Sequence, residues 1–68
     1  MDKKKFILGR ALMVGLDKQK FMKHCGIPPA TFDRRMKRPD TITLGELRVM
    51  ANVADMTDDQ IIQLVRAK

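Results

Sequence analysis

The sequence predicts an all-α fold, a compact bundle of five short helices in a single domain spanning residues 1–68. Apolar residues recur at the spacing of amphipathic helices, and no segment shows the alternation typical of a strand. Residues suited to begin or end a helix interrupt this pattern at short intervals. With 68 residues, 44% of them hydrophobic, the chain can build one small core and no second domain.

Aspartates that can cap helices and glycines that can end them delimit the first two helices. Asp2 and Asp17 are favourable N-cap residues. Gly15 and Gly26 suit the position just after a helix end, where the backbone needs a positive φ. The predicted apolar residues are Leu8, Ala11, Leu12 and Leu16 in or just after the first helix, and Phe21, Met22 and Cys25 in the second.

Prolines delimit the third helix, which is predicted to run from Pro29 to Lys37. Proline is tolerated in a first helical turn, where its missing N–H has no partner within the helix. Pro39 disfavours the α conformation at Arg38, so the helix ends there and a turn follows. Phe32 and Met36 are four residues apart and are predicted to face the core together.

Two capping boxes begin the fourth and fifth helices. In each box a threonine N-cap is followed three residues later by Glu or Gln, as in Thr43 with Glu46 and Thr57 with Gln60. The predicted inward residues are Leu44, Leu47, Met50, Ala51 and Ala54 in the fourth helix, and Ile61, Leu64 and Val65 in the fifth.

The net charge of +6 is unevenly placed along the chain. Residues 1–38 hold eleven Lys and Arg against three Asp, a balance of +8, whereas residues 39–68 have a balance of −2. Such asymmetry indicates an anionic partner, with nucleic acid favoured over a membrane surface. The same charges would also serve simply to keep a small protein soluble.

Catalytic and metal-binding chemistry find no support in the sequence. There is one histidine, one cysteine and no glycine-rich phosphate loop, so we expect no enzyme, metal or cofactor. The lone Cys25 excludes an internal disulfide and suits the reducing cytoplasm. No apolar run is long enough for a membrane-spanning helix, and we expect no small-molecule ligand.

The third helix is predicted to present a basic face opposite its apolar one. Ala30, Asp33, Arg34 and Lys37 follow the spacing i, i+3, i+4, i+7 and therefore share one side. Pro29 and Ala30 are short, so this end of the helix can approach a surface closely. A basic helix of this shape suits the major groove of DNA, which is wide enough to admit an α-helix.

The segment LDKQKFMKHCGIPPATFDRRM, residues 16–36, resembles the helix-turn-helix of the phage-repressor and Cro-type family, also called XRE-type. The similarity continues through TITLGELRVMANVADM, residues 41–56. It implies a repressor-like fold in which the third helix reads DNA. The sequence departs from the family at Met22, where a small residue is usual, at Arg35, where a buried aliphatic is common, and at Pro28, which replaces a Ser or Thr cap.

The resemblance and the basic face together define a set of candidate DNA contacts. The predicted base-reading residues are Pro29, Ala30, Asp33 and Arg34, and the predicted phosphate-contacting residues are Lys18, Thr31, Arg35, Lys37, Arg38 and Thr41. Arg34 is the best candidate for guanine, because a guanidinium matches the O6/N7 pair. Asp33 would accept from cytosine N4 or hold an arginine in place. Thr31 and Thr41 would serve equally well as local turn or helix hydroxyls.

The expected function is sequence-specific binding of double-stranded DNA by a small transcriptional regulator of a phage or mobile element, acting as a repressor. The alternative is a protein-interaction adaptor whose basic helix binds an acidic partner. Binding to an anionic membrane is disfavoured, because the basic and apolar residues do not form one long amphipathic stretch.

Several apolar residues are left off the predicted inward faces of the fourth and fifth helices. These residues are Val49, Val53, Met56 and Ile62. Single apolar residues on a surface are common, but several on adjacent elements indicate an interface. The sequence therefore predicts a weak homodimer through these helices, as suits a protein that reads two half-sites.

Overall fold

The computed structural model describes all residues, 1–68, and contains five α-helices and no strand. The helices are α1 (Lys3–Met13), α2 (Lys18–Cys25), α3 (Pro29–Lys37), α4 (Leu44–Val53) and α5 (Asp58–Arg66), with a 3-10 turn at Pro39–Thr41 between α3 and α4. The predicted all-α class, the five helices and the bounds of α3 are confirmed.

All four predicted side-chain N-caps are present. In α1, α2, α4 and α5 the side chain of the N-cap residue accepts a hydrogen bond from the backbone N–H three residues later. The pairs are Asp2 with Lys5, Asp17 with Lys20, Thr43 with Glu46 and Thr57 with Gln60. The side chains of Glu46 and Gln60 return a bond to the N-cap N–H, which completes both capping boxes. α3 has no side-chain cap, because Pro28 stands at that position.

α1 and α4 end in the same kind of turn, which reverses the direction of the chain. The residue after the left-handed position of this turn is directed toward the core. After α1, Gly15 has φ of 84°, and the N–H of Leu16 donates to the carbonyl of Ala11 at 2.9 Å. After α4, Asp55 has φ of 52°, and the N–H of Met56 donates to the carbonyl of Ala51 at 2.9 Å. Both are Schellman motifs. In this motif the N–H groups of the left-handed residue and of the residue after it donate hydrogen bonds to the last carbonyls of the helix.

This reversal corrects the prediction that Met56 belongs to a dimer surface. Met56 is buried in the core, because the left-handed Asp55 turns the chain back onto α4. Val53 is half-buried and packs against the core, whereas Val49 and Ile62 are exposed. Of the four residues predicted for the interface, two are therefore accessible to a partner.

The core lies between α2 and its neighbours. α2 packs on α4 and α1, and α1 also packs on α3. The largest side chains with no exposure are Phe21, Phe32, Ile7 and Met50. The rings of Phe21 and Phe32 meet edge to face, with centroids 5.9 Å apart and planes at 79°. Burying one such side chain stabilises the fold by about 1.5–3 kcal/mol, so these four residues dominate the core.

Three leucine or valine residues predicted to face inward are exposed. Leu12, Leu44 and Val65 are 63%, 80% and 60% exposed. In α1 the buried residues are Ile7 and Ala11. Leu12 follows Ala11 directly, so its side chain leaves the helix about 100° away from the buried side. Val65 follows the buried Leu64 and is rotated away in the same manner. Leu44 is the first residue of α4 and lines the same surface pocket as Val65.

Candidate nucleic-acid interface

α2 and α3 are joined by a turn of three residues, Gly26–Pro28. Gly26 has φ of 67°, the left-handed conformation that lets the chain leave α2 sharply. The edge-to-face contact of Phe21 with Phe32 then packs one helix on the other. Phe32 and Met36 are both buried, as predicted, so α3 is anchored by one side.

The opposite side of α3 is open to solvent. All four residues predicted to read bases, Pro29, Ala30, Asp33 and Arg34, are exposed there. Arg34 has no carboxylate partner, and its contact within the protein is a hydrogen bond from Nη2 to Thr31 Oγ1 at 3.5 Å. That length is at the weak limit for a hydrogen bond, so the guanidinium is free to reach another molecule.

Asp33 is paired with a lysine and not with an arginine. Lys18 Nζ lies 3.0 Å from Asp33 Oδ1, and the two side chains are 45% and 62% exposed. The pair links the first turn of α2 to the outward side of α3. Because exposed ion pairs stabilise a protein by about 0–1 kcal/mol, Lys18 can exchange Asp33 for a phosphate at little cost.

Arg35 is directed to α4 and away from the outward side of α3. Its Nε–H donates to Glu46 Oε1 at 2.9 Å, and the two side chains are only 22% and 19% exposed. The same Oε1 accepts the N–H of Thr43 at 2.9 Å. The backbone hydrogen bond from Thr43, together with Arg35, lowers the pKa of Glu46. The phosphate contact predicted for Arg35 would require this ion pair to break.

The remaining predicted phosphate contacts divide into free cations and local hydroxyls. Lys37 and Arg38 are exposed and form no ion pair. Thr41 Oγ1 donates to the carbonyl of Arg38 at 2.6 Å, and therefore closes the turn after α3. Thr31 accepts the bond from Arg34. In the free protein both threonines thus make local hydrogen bonds.

Sequence reasoning missed two acidic residues that hold this region in place. Glu46 pairs with Arg35, and Asp40 pairs with Lys3 across the start of α1. Both contacts join residues far apart in the sequence, eleven and thirty-seven positions respectively. The capping box did indicate that Glu46 would be held at the start of α4, but nothing in the sequence indicated which arginine it would meet.

The remaining groups that could carry chemistry are Cys25 and His24, both in α2. Burial raises the pKa of the Cys25 thiol to about 11, so the group is a neutral thiol near pH 7. His24 Nδ1 lies 2.7 Å from the carbonyl of Lys20, one turn earlier in α2. The structure contains no group of three or more His, Cys, Asp or Glu arranged to hold a metal. None of the five helices combines the length and apolar character needed to cross a bilayer.

Comparison with protein-family models, with curated proteins and with solved structures finds no match for this chain.

Proposed function

We propose that this protein binds double-stranded DNA sequence-specifically, with α3 in the major groove. The observation that supports this most is the division of α3 into two sides. Phe32 and Met36 are buried, whereas Ala30, Arg34 and Lys37 are exposed on the other side. α3 packs on the core by one side, and its outer side carries cations and a small residue near the N-terminus. A helix of this kind fits the width of the major groove of DNA.

Discrimination between sequences would come from the exposed start and middle of α3. Pro29 and Ala30 allow the helix end to approach the base edges. Arg34 donates two hydrogen bonds to guanine O6 and N7. Asp33 accepts from cytosine N4 or remains with Lys18, in which case it orients that lysine.

Affinity would come mainly from phosphate contacts. The exposed cations for these contacts are Lys37 and Arg38 at the end of α3 and Lys18, which lies beside Asp33. With these three contacts per protomer, log K should fall against log salt with a slope of about −3. A slope near zero, or no duplex binding at all, would favour an adaptor that binds an acidic protein.

The biological role that fits best is a small cytoplasmic transcriptional regulator of a phage or mobile element. It would act as a repressor by occupying an operator. Support for this role comes from the resemblance of residues 16–36 and 41–56 to the phage-repressor and Cro-type family and from the basic half of the chain.

Selection of binding sites from random duplex DNA tests the proposal directly. Arg34→Ala should lose preference at one base pair and bind the preferred site more weakly by about 1–3 kcal/mol. Arg66→Ala is the matched control, because Arg66 is an exposed, unpaired arginine on α5. If Arg34→Ala and Arg66→Ala both return the wild-type site with unchanged discrimination, Arg34 does not read bases.

We further propose that the protein binds DNA as a weak homodimer through α4 and α5. Val53 packs against the core, so replacing it would disturb the fold as well as an interface. Ile62 is the sharper probe because it is exposed. Ile62→Glu should abolish cooperative binding to a duplex with two half-sites, and Gln63→Glu, an adjacent exposed residue with the same charge change, should not. Equal cooperativity in the two variants would contradict the interface.

A further inference from the structure

A groove of about 380 Å³ lies between the start of α1 and the end of α3. Its charged lining residues are Lys3, Lys4, Lys37, Lys68, Asp2 and Asp40. Four lysines against two aspartates give the groove a balance of +2. The groove is open and polar, with few apolar residues in its walls, so it suits a charged partner better than an apolar ligand.

Both aspartates of the groove are already engaged. Asp2 Oδ1 accepts the backbone N–H of Lys5 at 3.0 Å, which is the cap of α1. Asp40 is paired with Lys3. The ammonium groups of Lys4, Lys37 and Lys68 have no ion pair in the structure. The groove therefore holds three ammonium groups without an ion pair, and because Asp2 keeps its charge as the cap of α1, the balance of the side-chain charges stays at +2.

Lys37 joins this groove to the outward side of α3. It lies in the last turn of α3, on the side shared with Ala30 and Arg34, and it also lines the groove. A chain of phosphates that passes Lys37 would therefore continue toward Lys4. Lysine ammonium groups on flexible stems are suited to phosphate oxygens, which they bind as point charges without a fixed geometry.

We propose that this groove binds the sugar–phosphate backbone of the same DNA duplex beyond the base pairs read by α3. The inference rests on the proposed function and adds α1, through Lys4, and Lys68 to the DNA-binding surface. Contacts of this kind carry no sequence preference of their own, but they position the protein and increase the salt dependence of binding.

The test compares lysines that differ only in whether they line the groove. Lys4 and Lys5 are neighbours in the first turn of α1, both are exposed and neither forms an ion pair, but Lys4 alone lines the groove. Lys4→Gln and Lys5→Gln change the net charge equally. Fluorescence anisotropy with a labelled random-sequence duplex, at several salt concentrations between about 50 and 200 mM, gives the slope of log K against log salt.

Lys4→Gln should make that slope shallower by about 0.9, the value for one lost phosphate contact. Lys5→Gln should leave the slope of the wild type unchanged. Lys68→Gln gives a second comparison with Lys5→Gln, because Lys68 lines the groove and Lys5 does not. The thermal unfolding midpoint of each variant shows whether the fold is retained.

Equal slopes for Lys4→Gln and Lys5→Gln, with the duplex still bound, would overturn the groove proposal and leave the proposed function standing. Absence of duplex binding by the wild type would overturn the proposed function itself. A shallower slope for Lys4→Gln supports a contact to the backbone if selection from random duplex DNA returns the same preferred base sequence as for the wild type. A changed preferred sequence would overturn that assignment, because it would show that Lys4 reads a base.

Discussion

Two ion pairs link α3 to its neighbours, and they differ in how much water reaches them. On the side of α2, the side chains of Lys18 and Asp33 are 45% and 62% exposed. On the side of α4, those of Arg35 and Glu46 are 22% and 19% exposed. Charges interact more strongly where water is excluded, because the effective dielectric constant is lower. We therefore expect the Arg35–Glu46 pair, called the fixed joint below, to stay closed, and the Lys18–Asp33 pair to open if a phosphate approaches Lys18.

The fixed joint also determines which way Arg34 points. Arg34 and Arg35 are consecutive in α3, so their side chains leave the helix about 100° apart. With Arg35 directed to Glu46 and Phe32 buried, Arg34 is turned to the solvent. Adjacent arginines in a sequence can therefore have different surroundings, since Arg35 is paired within the protein and Arg34 is exposed without a carboxylate partner.

Removing the carboxylate of the fixed joint should have the largest effect. Glu46→Ala deletes one side of the capping box and leaves the partly shielded Arg35 without its partner. Hydrogen bonds that involve a charged group are worth about 1.5–3 kcal/mol, so we expect a loss of about 2 kcal/mol in the free energy of unfolding, measured with urea.

Glu46→Gln is the matched control for that measurement. The amide oxygen can still accept the N–H of Thr43 and the Nε–H of Arg35, and Gln is also a capping-box residue. Its cost should be clearly smaller than that of Glu46→Ala. Equal losses in the two variants would show that the hydrogen bonds at Oε1 contribute nothing beyond the charge.

The helices were predictable from the sequence because their signals are local. Caps such as Asp17 and Thr43, the left-handed Gly26 and the proline that ends α3 act within a few residues. The left-handed Asp55 was not predicted, because aspartate adopts this conformation less readily than glycine. The burial of Met56 was missed for that reason.

The candidate site was predictable only in part. The exposure of Ala30 and Arg34 follows from the spacing within α3, whereas the partner of Arg35 lies on another helix. Arg35 is partly buried where it meets Glu46. Its direction toward Glu46 depends on how α3 packs against α4, and local patterns do not determine that packing.

Replacing the arginine of the fixed joint should affect stability and not salt dependence. Arg35→Met keeps the aliphatic stem but removes the ion pair, so we expect a loss of about 1 kcal/mol in the free energy of unfolding. The slope of log K against log salt for duplex binding should remain that of the wild type. Lys37→Met, at an exposed and unpaired position, should make the slope shallower by about 0.9. If Arg35→Met changes the slope as much as Lys37→Met, Arg35 leaves Glu46 to bind phosphate.

The stability that Glu46 contributes should depend on pH. Folding lowers the pKa of Glu46 below its ordinary value of 4.5, first through the N–H of Thr43 and then through Arg35. The folded protein therefore holds this proton less tightly than the unfolded chain. The contribution is complete above the unfolded pKa and is lost as the pH falls through the folded pKa.

The difference in unfolding free energy between the wild type and Glu46→Gln isolates that contribution, because the other carboxylates titrate in both proteins. The difference should be constant near neutral pH and should decline below about pH 4.5. A difference that stays constant through this acidic range would show that folding does not lower the pKa of Glu46.

The smallest effect on stability is expected at the exposed pair. Lys18→Met removes an ion pair that water screens, and it also removes a positive charge from the first turn of α2, where the helix dipole disfavours one. The two changes oppose each other, so the free energy of unfolding should shift by less than about 0.5 kcal/mol. The slope for duplex binding should nevertheless become shallower by about 0.9 if, as we propose, Lys18 exchanges Asp33 for a phosphate in the complex. Arg66→Met, which removes an exposed charge remote from α3 in the sequence, should leave the slope unchanged. The result expected for Lys18→Met, a nearly unchanged stability with a shallower slope, is the reverse of that expected for Arg35→Met. An unchanged slope in Lys18→Met would mean that the exposed pair stays closed on DNA.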